Sequence, residues 1–411
     1  MKADADETTP AHPTDPDETT SAHPAELSTV RLAHIALMRM AEPGDRVMGR
    51  LIARYGPEDV VTQIRRSHLS PAFVGEERPS PEWKGRDLDR LVEAWKLRWA
   101  PPERDFETGV ADGGRLIIPG DPEWPTQLND LGDHRPYGMW LHGSANLRLA
   151  CVRSVSIVGS RAASPYGVSA ASEFAAQLGD ERFCVVSGGA YGIDAAAHRG
   201  ALSGAAATVA VLACGIDVCY PTAHVDLFRA VRSNGLVISE CPPGVHPTRP
   251  RFLVRNRVIA ALSRGTVVIQ AAIRSGALST AGHAFELNRH LMALPGPITS
   301  DMSAGCHQLI RQQKAVCVTS VRDVLELIGG LGDPLMPEPR GPVHARDHLN
   351  DETRRVLEAV PARAGRGPAA IAIGAGVDLG TALSCLGSLA LAGFVERVAQ
   401  GWRLRPSARD E

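Results

Sequence analysis

No stretch of this 411-residue chain approaches 18 uncharged apolar residues, which excludes a simple membrane-spanning helix. The first residues, MKADADETTPAHPTDPDETT, are acidic and lack the basic-then-apolar order of a secretory leader, so a cytoplasmic protein is expected. The eight cysteines form no CxxC pair and the 14 histidines no HExxH, which leaves no spacing for a metal centre. Several cysteines sit in apolar runs, as buried reduced thiols do. GxxxxGK[ST] is missing too, so there is no Walker-type nucleotide site; no cofactor is expected. The most informative absence is local. Between Cys241 and Phe285 the chain runs 45 residues with no Asp or Glu, yet it places six arginines there.

That block stands out because the whole chain is nearly balanced, 44 Lys+Arg against 46 Asp+Glu. Arg249, Arg251, Arg255 and Arg257 crowd around Phe252, and guanidinium forks beside an aromatic ring suit phosphate oxygens and a stacked base. The block is therefore expected to form a surface for a polyanion. The plain alternative is that some of these arginines pair with acids elsewhere in the chain. Residues 1–26 hold seven acids against Lys2, a net −6 that leaves the rest of the chain at about +4. A disordered acidic tail is expected over 1–27.

Helical apolar spacing follows in RLAHIALMRM, VMGRLIARYGPEDVVTQIRRS, broken at Gly56-Pro57, and DLDRLVEAWKLRWA, giving a small helical domain over 28–105 of helix-hairpin-helix or SAM-like type. From about 150 the pattern changes. Short apolar runs, VSIVG, FCVVSG, ATVAVLA, GLVIS, TVVIQ, LMALPG and KAVCV, alternate with helical segments, the pattern of a doubly wound, mainly parallel sheet buried on both faces. That domain is placed at 106–330. Pro334, Pro337, Pro339 and Pro342 mark a linker over 331–346. Residues 347–411 read as three helices and a hairpin, the order of a winged helix.

Ligands of such sheets bind at the carboxyl ends of strands. Four glycine-bearing segments are expected there: GSRAASPYG with Gly159, Ser160 and Arg161; SGGAYGID with Ser187 and Gly188; RSGALST with Arg274, Ser275 and Gly276; and LPGPITSDMSAGCHQLI. Asp194 and His198 either serve that site or simply cap and tie their helix. His307 and Gln308 read as helix-end packing.

The succession GSR, SGGAYGIDAAAH, CGIDVCYP, ISECPPG, RFLVRNRVIAALS, SGALSTAGHAFELNR, LPGP and GCHQLI resembles the DNA-processing protein A (DprA/Smf) family over roughly 110–330. The resemblance implies an α/β, extended Rossmann-like fold, with a small N-terminal helical domain and a C-terminal winged-helix domain. It implies a homodimer formed through 150–330 that binds single-stranded DNA and helps load the RecA recombinase, as in natural transformation and homologous recombination, with no catalytic residue. Carried across position by position, Arg161 would contact phosphate, Arg249 would be a basic residue three places before the motif phenylalanine, Phe252 would lie against a base, and Arg255, Asn256 and Arg257 would form the RNR motif. The sequence departs from the family pattern at Leu253, Gln270, Asn288 and His307. Asn tolerates a left-handed backbone, so position 288 need not lose structure. Gln270 removes an acid where a nucleotide-cleaving phosphoribohydrolase, the competing enzyme reading, would want one; Glu286 is the nearest alternative acid.

Overall fold

The computed structural model describes residues 28–66, 85–111, 113–330 and 345–406, with the backbone alone at 85–89. The expected acidic tail, 1–27, lies outside the described residues, as does the expected linker except for its last two. The described residues form two compact units, the first ending by residue 335.

Among the described residues, five helices open the first unit. Ser28 and Asp45 accept backbone N–H groups at the starts of α1 (Thr29–Met40) and α2 (Arg46–Tyr55), as N-caps should. Gly56, at φ 81°, ends α2, and Pro57 opens α3 (Pro57–Arg65); α4 (Gly85–Leu97) and α5 (Pro102–Val110) follow. These helices do not make a core of their own. Ile35, Met40, Met48, Ile64 and Trp95 share one apolar cluster with Leu116, Trp140, Phe228 and Val237 of the sheet and its flanking helix. Short amphipathic helices bury too little surface to stand alone, so the separate domain expected over 28–105 is instead one side of the sheet's core. α5 runs across the expected boundary.

The sheet has nine strands in the order β1-β2-β6-β5-β4-β3-β7-β8-β9. β1 (Gly114–Ile117) and β2 (Met139–His142) are antiparallel additions that the sequence pattern did not announce. The other seven, β3 (Ser154–Val158), β4 (Cys184–Ser187), β5 (Thr208–Val211), β6 (Leu236–Ser239), β7 (Gly265–Val268), β8 (His290–Ala293) and β9 (Val316–Cys317), are parallel and fall in the seven apolar runs. The period of two sorts their side chains. Val158, Val186, Val211 and Val268 join the cluster that holds Val258, Ile259, Ala277 and Ala281. Val155, Ile157, Val185 and Val267 join the one that holds Phe174, Leu178, Ile193 and Ala197.

The connecting helices are α6 (Leu147–Val152), α7 (Pro165–Asp180), α8 (Ile193–Ala201), α9 (Val225–Asn234), α10 (Arg249–Leu262), α11 (Ala277–Glu286), α12 (Ala304–Arg311) and α13 (Val321–Ile328). From β3 the chain winds outward through β4, β5 and β6, then returns to the other flank of β3 as β7. The reversal opens a crevice beyond the carboxyl ends of β3 and β7.

In the second unit, α14 (Asp351–Ala359), α15 (Pro368–Ala375) and α16 (Leu379–Leu391) precede a hairpin of β10 (Val395–Val398) and β11 (Gly401–Leu404), all around Val356, Ile371, Leu386, Leu389 and Phe394. α16, LGTALSCLGSLAL, carries no charged side chain, and Leu379, Leu383 and Leu391 on it are exposed.

Candidate nucleic-acid interface

Three loops meet at the crevice: 159–164 after β3, 188–192 after β4 and 269–276 after β7. The Ser160 N–H donates to the Gln270 carbonyl at 2.7 Å, and the Ile193 N–H donates to the Ser160 carbonyl at 3.2 Å. Gly192, at φ 76°, is required by this contact, since a Cβ there would sit 2.3 Å from the Ser160 carbonyl oxygen. With its backbone clamped, Arg161 projects outward. Its guanidinium carbon lies 4.7 Å from the centroid of the Phe252 ring, a cation–π stack. Phe252 comes from the first turn of α10, half-buried, and its far neighbour is Tyr220, with ring centroids 5.7 Å apart. Tyr191, in the β4 loop, meets His224 edge-on at 4.8 Å, and the His224 Nδ1 lies 3.0 Å from the Gly189 carbonyl.

Arg161, Arg249 and Arg274 are exposed, and their side chains make no ion pair or hydrogen bond among the described residues. Arg249 precedes Phe252 by three positions on α10, hence on the same helical face. Ile273, beside Arg274, is 63% exposed. This part of the sequence-based site comes together: a basic, partly aromatic rim at the mouth of the crevice.

The rest of the arginine block does not form the expected surface. Arg257 is only 3% exposed; it makes a two-bond ion pair with Glu240, both at 2.7 Å, and donates to the His134 carbonyl at 2.9 Å. Arg251 makes its own fork to Glu42, both bonds 3.0 Å, and donates to the His246 carbonyl. Arg264 donates to the carbonyls of Val152 and Ile328. Arg255 is buried and donates to the carbonyls of Gly188 and Val211. The physical reason is that acids from outside the block, Glu42 and Glu240, and loop carbonyls supply the partners that the block itself lacks. Arg255, Asn256 and Arg257 are all buried on α10, with Asn256 donating to the Gly276 carbonyl at 3.3 Å.

The glycine loop after β4 also turns inward. The Ser187 hydroxyl is buried and donates to the Ile157 carbonyl. The Asp194 carboxylate accepts the N–H groups of Gly188 and Ala190, so these amides are already engaged. A Cβ on Gly188 would come within 2.6 Å of the Arg255 guanidinium; the glycine makes room for an internal arginine rather than for a ligand. Burial raises the Asp194 carboxyl above the ordinary carboxylate range, against the pull of Arg255, and burial lowers Arg255. His198 is fully buried, and burial pushes it down to about 3. Because the Thr208 hydroxyl donates to the Val185 carbonyl, it accepts from the His198 Nδ1–H at 2.8 Å, which assigns the neutral Nδ1–H tautomer. Of the two readings open for Asp194 and His198, the tying of α8 is the one these bonds describe.

Ser275 caps locally, accepting the Ala277 N–H at 3.3 Å, and Gly276 faces open space. Gln270, where the family pattern has an acid, is buried; its Oε1 accepts the Ser164 N–H and its Nε2–H donates to the Ser164 hydroxyl at the start of α7. Its amide supplies both a donor and an acceptor there, which a carboxylate cannot. Asn288 is left-handed, φ 53°, the conformation that asparagine tolerates best after glycine. The His307 Nε2 is hydrogen-bonded to the Gly296 carbonyl at 3.0 Å, which ties α12 to the loop after β8. Leu253 is exposed. Glu286 closes the far end of α11, paired with His283 at 3.4 Å. The residues that sequence reasoning passed over are Tyr191 and Tyr220; both stand inside quoted motifs, SGGAYGID and CGIDVCYP, as the large side chain among small ones.

A family model described as DNA recombination-mediator protein A matches residues 115–329. A putative DNA processing protein DprA of Mycobacterium tuberculosis is 39% identical over 378 residues, covering 90% of this chain and 92% of the relative. The DNA processing protein DprA of Streptococcus pneumoniae is 42% identical over 205 residues, 50% of this chain and 71% of the relative. The X-ray structure of DNA processing protein A from Streptococcus pneumoniae superposes with a TM-score of 0.59 at 30% identity, covering 74% of this chain and 99% of that one.

Proposed function

This chain belongs to the DNA recombination-mediator protein A family, and on that premise we propose that it binds single-stranded DNA at the crevice mouth and helps load a RecA recombinase onto it. The observation that carries the reading is the Arg161–Phe252 stack, with Arg249 three positions before Phe252 on α10 and Arg274 on the β7 loop, all three arginines exposed and without an ion pair or hydrogen bond among the described residues. Phosphates supply most of the affinity through the three arginines, and Phe252 offers a face to one base. Arg255 and Arg257 drop out as DNA contacts; they hold α10 and the β4 loop in place. A homodimer would join two such rims and raise the effective concentration for the second contact. The C-terminal unit, by its three helices and hairpin, would serve as a winged helix.

An electrophoretic titration with single-stranded and double-stranded oligonucleotides tests the reading. Single strands shift at lower protein concentration, and the protein then helps RecA displace single-strand-binding protein. Equal affinity for the two forms, or no effect on RecA, defeats it.

A further inference from the structure

We propose that Tyr191 and Tyr220 extend Phe252 into an aromatic track on which successive unpaired bases stack, so that the crevice recognises a single strand by its bases as well as its phosphates. The inference rests on the single-strand reading and adds residues and a selection mechanism to it.

Exposed tyrosines taken singly are ordinary. These two are set apart by their continuity with the cation stack. Arg161 covers one side of Phe252 and Tyr220 adjoins the ring; Tyr191 immediately precedes Gly192, whose Cβ position lies 2.6 Å from the Arg161 carbonyl oxygen, and the Tyr191 ring meets His224, which in turn contacts Phe228. Tyr220 is 42% exposed and Tyr191 48%. Elsewhere in the unit tyrosine hydroxyls are used: Tyr137 donates to the Asp45 carbonyl and Tyr166 to the Pro295 carbonyl. The hydroxyls of Tyr191 and Tyr220 have no hydrogen-bond partner among the described residues. These rings are held from behind and open in front.

Their surroundings suit a nucleic acid over a protein. Arg161 is exposed at one end of the track. Of the acids on the adjoining segments, Asp194 is buried on the loop amides, the exposed Asp217 accepts the Gly244 N–H at 2.8 Å, and Asp226 pairs with Arg229 at 2.6 Å. A base presents a flat face to a ring only when it is unpaired and free to leave its neighbours; in a duplex those faces are stacked away. A track of rings beside free arginines therefore binds the single strand and rejects the duplex without reading any base edge.

The test uses the full-length protein and three fluorescent probes of equal length: an oligothymidine, an abasic oligonucleotide with the same phosphates, and a duplex. Tyr220→Leu and Tyr191→Leu should each lower affinity for oligothymidine by about five-fold or more while the abasic strand is bound nearly as before. Tyr220→Phe, which keeps the ring, should restore what Tyr220→Leu loses. Arg161→Ala should weaken both single strands. Equal losses on thymidine and abasic strands, or no loss on either, overturn the track while leaving single-strand binding intact. A wild-type protein that binds neither single strand overturns the functional reading itself.

Discussion

Helix α10 puts arginine to opposite uses one and two turns apart. In its first turn Arg249 is exposed with no ion pair or hydrogen bond from its side chain among the described residues, and Phe252 lies half-buried against Arg161. In its second and third turns Arg255 and Arg257 are buried, one under a glycine loop and the other on Glu240. The residue type is the same; what differs is whether a carboxylate or carbonyl from elsewhere reaches it. A guanidinium satisfied inside the protein holds a loop still, and one left outside is available to a phosphate.

The contrast breaks most visibly at its buried end. Arg257→Ala leaves Glu240 charged and buried without a partner, so a loss of about 3–5 kcal/mol is expected, read as a lower melting temperature and denaturation midpoint. An unchanged melt would place Arg257 back among the surface arginines. Acid reaches the same interior. Burial holds His198 at about 3 and His34 at about 4, both below the ordinary 6.5. A histidine with a depressed native pKa takes up its proton on unfolding, so stability is whole above pH 6.5 and falls as pH drops toward those values. At pH 5 the loss amounts to about 2 kcal/mol per histidine. The raised carboxyl of Asp194 works in the opposite sense above its unfolded pKa of 3.8 and offsets part of this. Melting temperatures at pH 7 and pH 5 check the sign; a flat profile would mean that both rings protonate in place.

At the exposed end the effects move from stability to binding. Phe252→Ala should cost roughly 1–3 kcal/mol of single-strand affinity with little change in melting, measured by anisotropy and calorimetry together. A large drop in melting temperature would assign the ring to the core. The smallest effect is expected for Arg249→Ala: a modest loss of affinity, alike for all sequences, and a salt slope reduced by about 0.7.

The seven parallel strands were legible because each is a short run buried on both faces, a pattern that survives in composition alone. β1 and β2 were not: no α-helix separates them, so they stand outside the strand–helix alternation that marked the others. The helices of 28–105 were visible, but their sharing of a core with Trp140 and Phe228 is a long-range fact. At the site, the motifs named Arg161 and Phe252, which stack, and Arg249 and Arg274, which are exposed. The inward turn of Arg251, Arg255 and Arg257 was hidden because their partners, Glu42, Glu240 and the carbonyl of Gly188, lie outside the block. Gly188 carried the clue in disguise: its missing Cβ makes room for Arg255.

The uncharged α16 gives the intact chain a built-in control. Counterion release makes a phosphate-reading surface lose its grip as ionic strength climbs, whereas a face of leucine, glycine and serine has no ions to release. Any contact made through the exposed leucines of α16 should hold, or even tighten, in sulfate at concentrations that empty the crevice. One titration in two salts would thus separate a contact through α16 from the phosphate contacts of the crevice without cutting the protein apart.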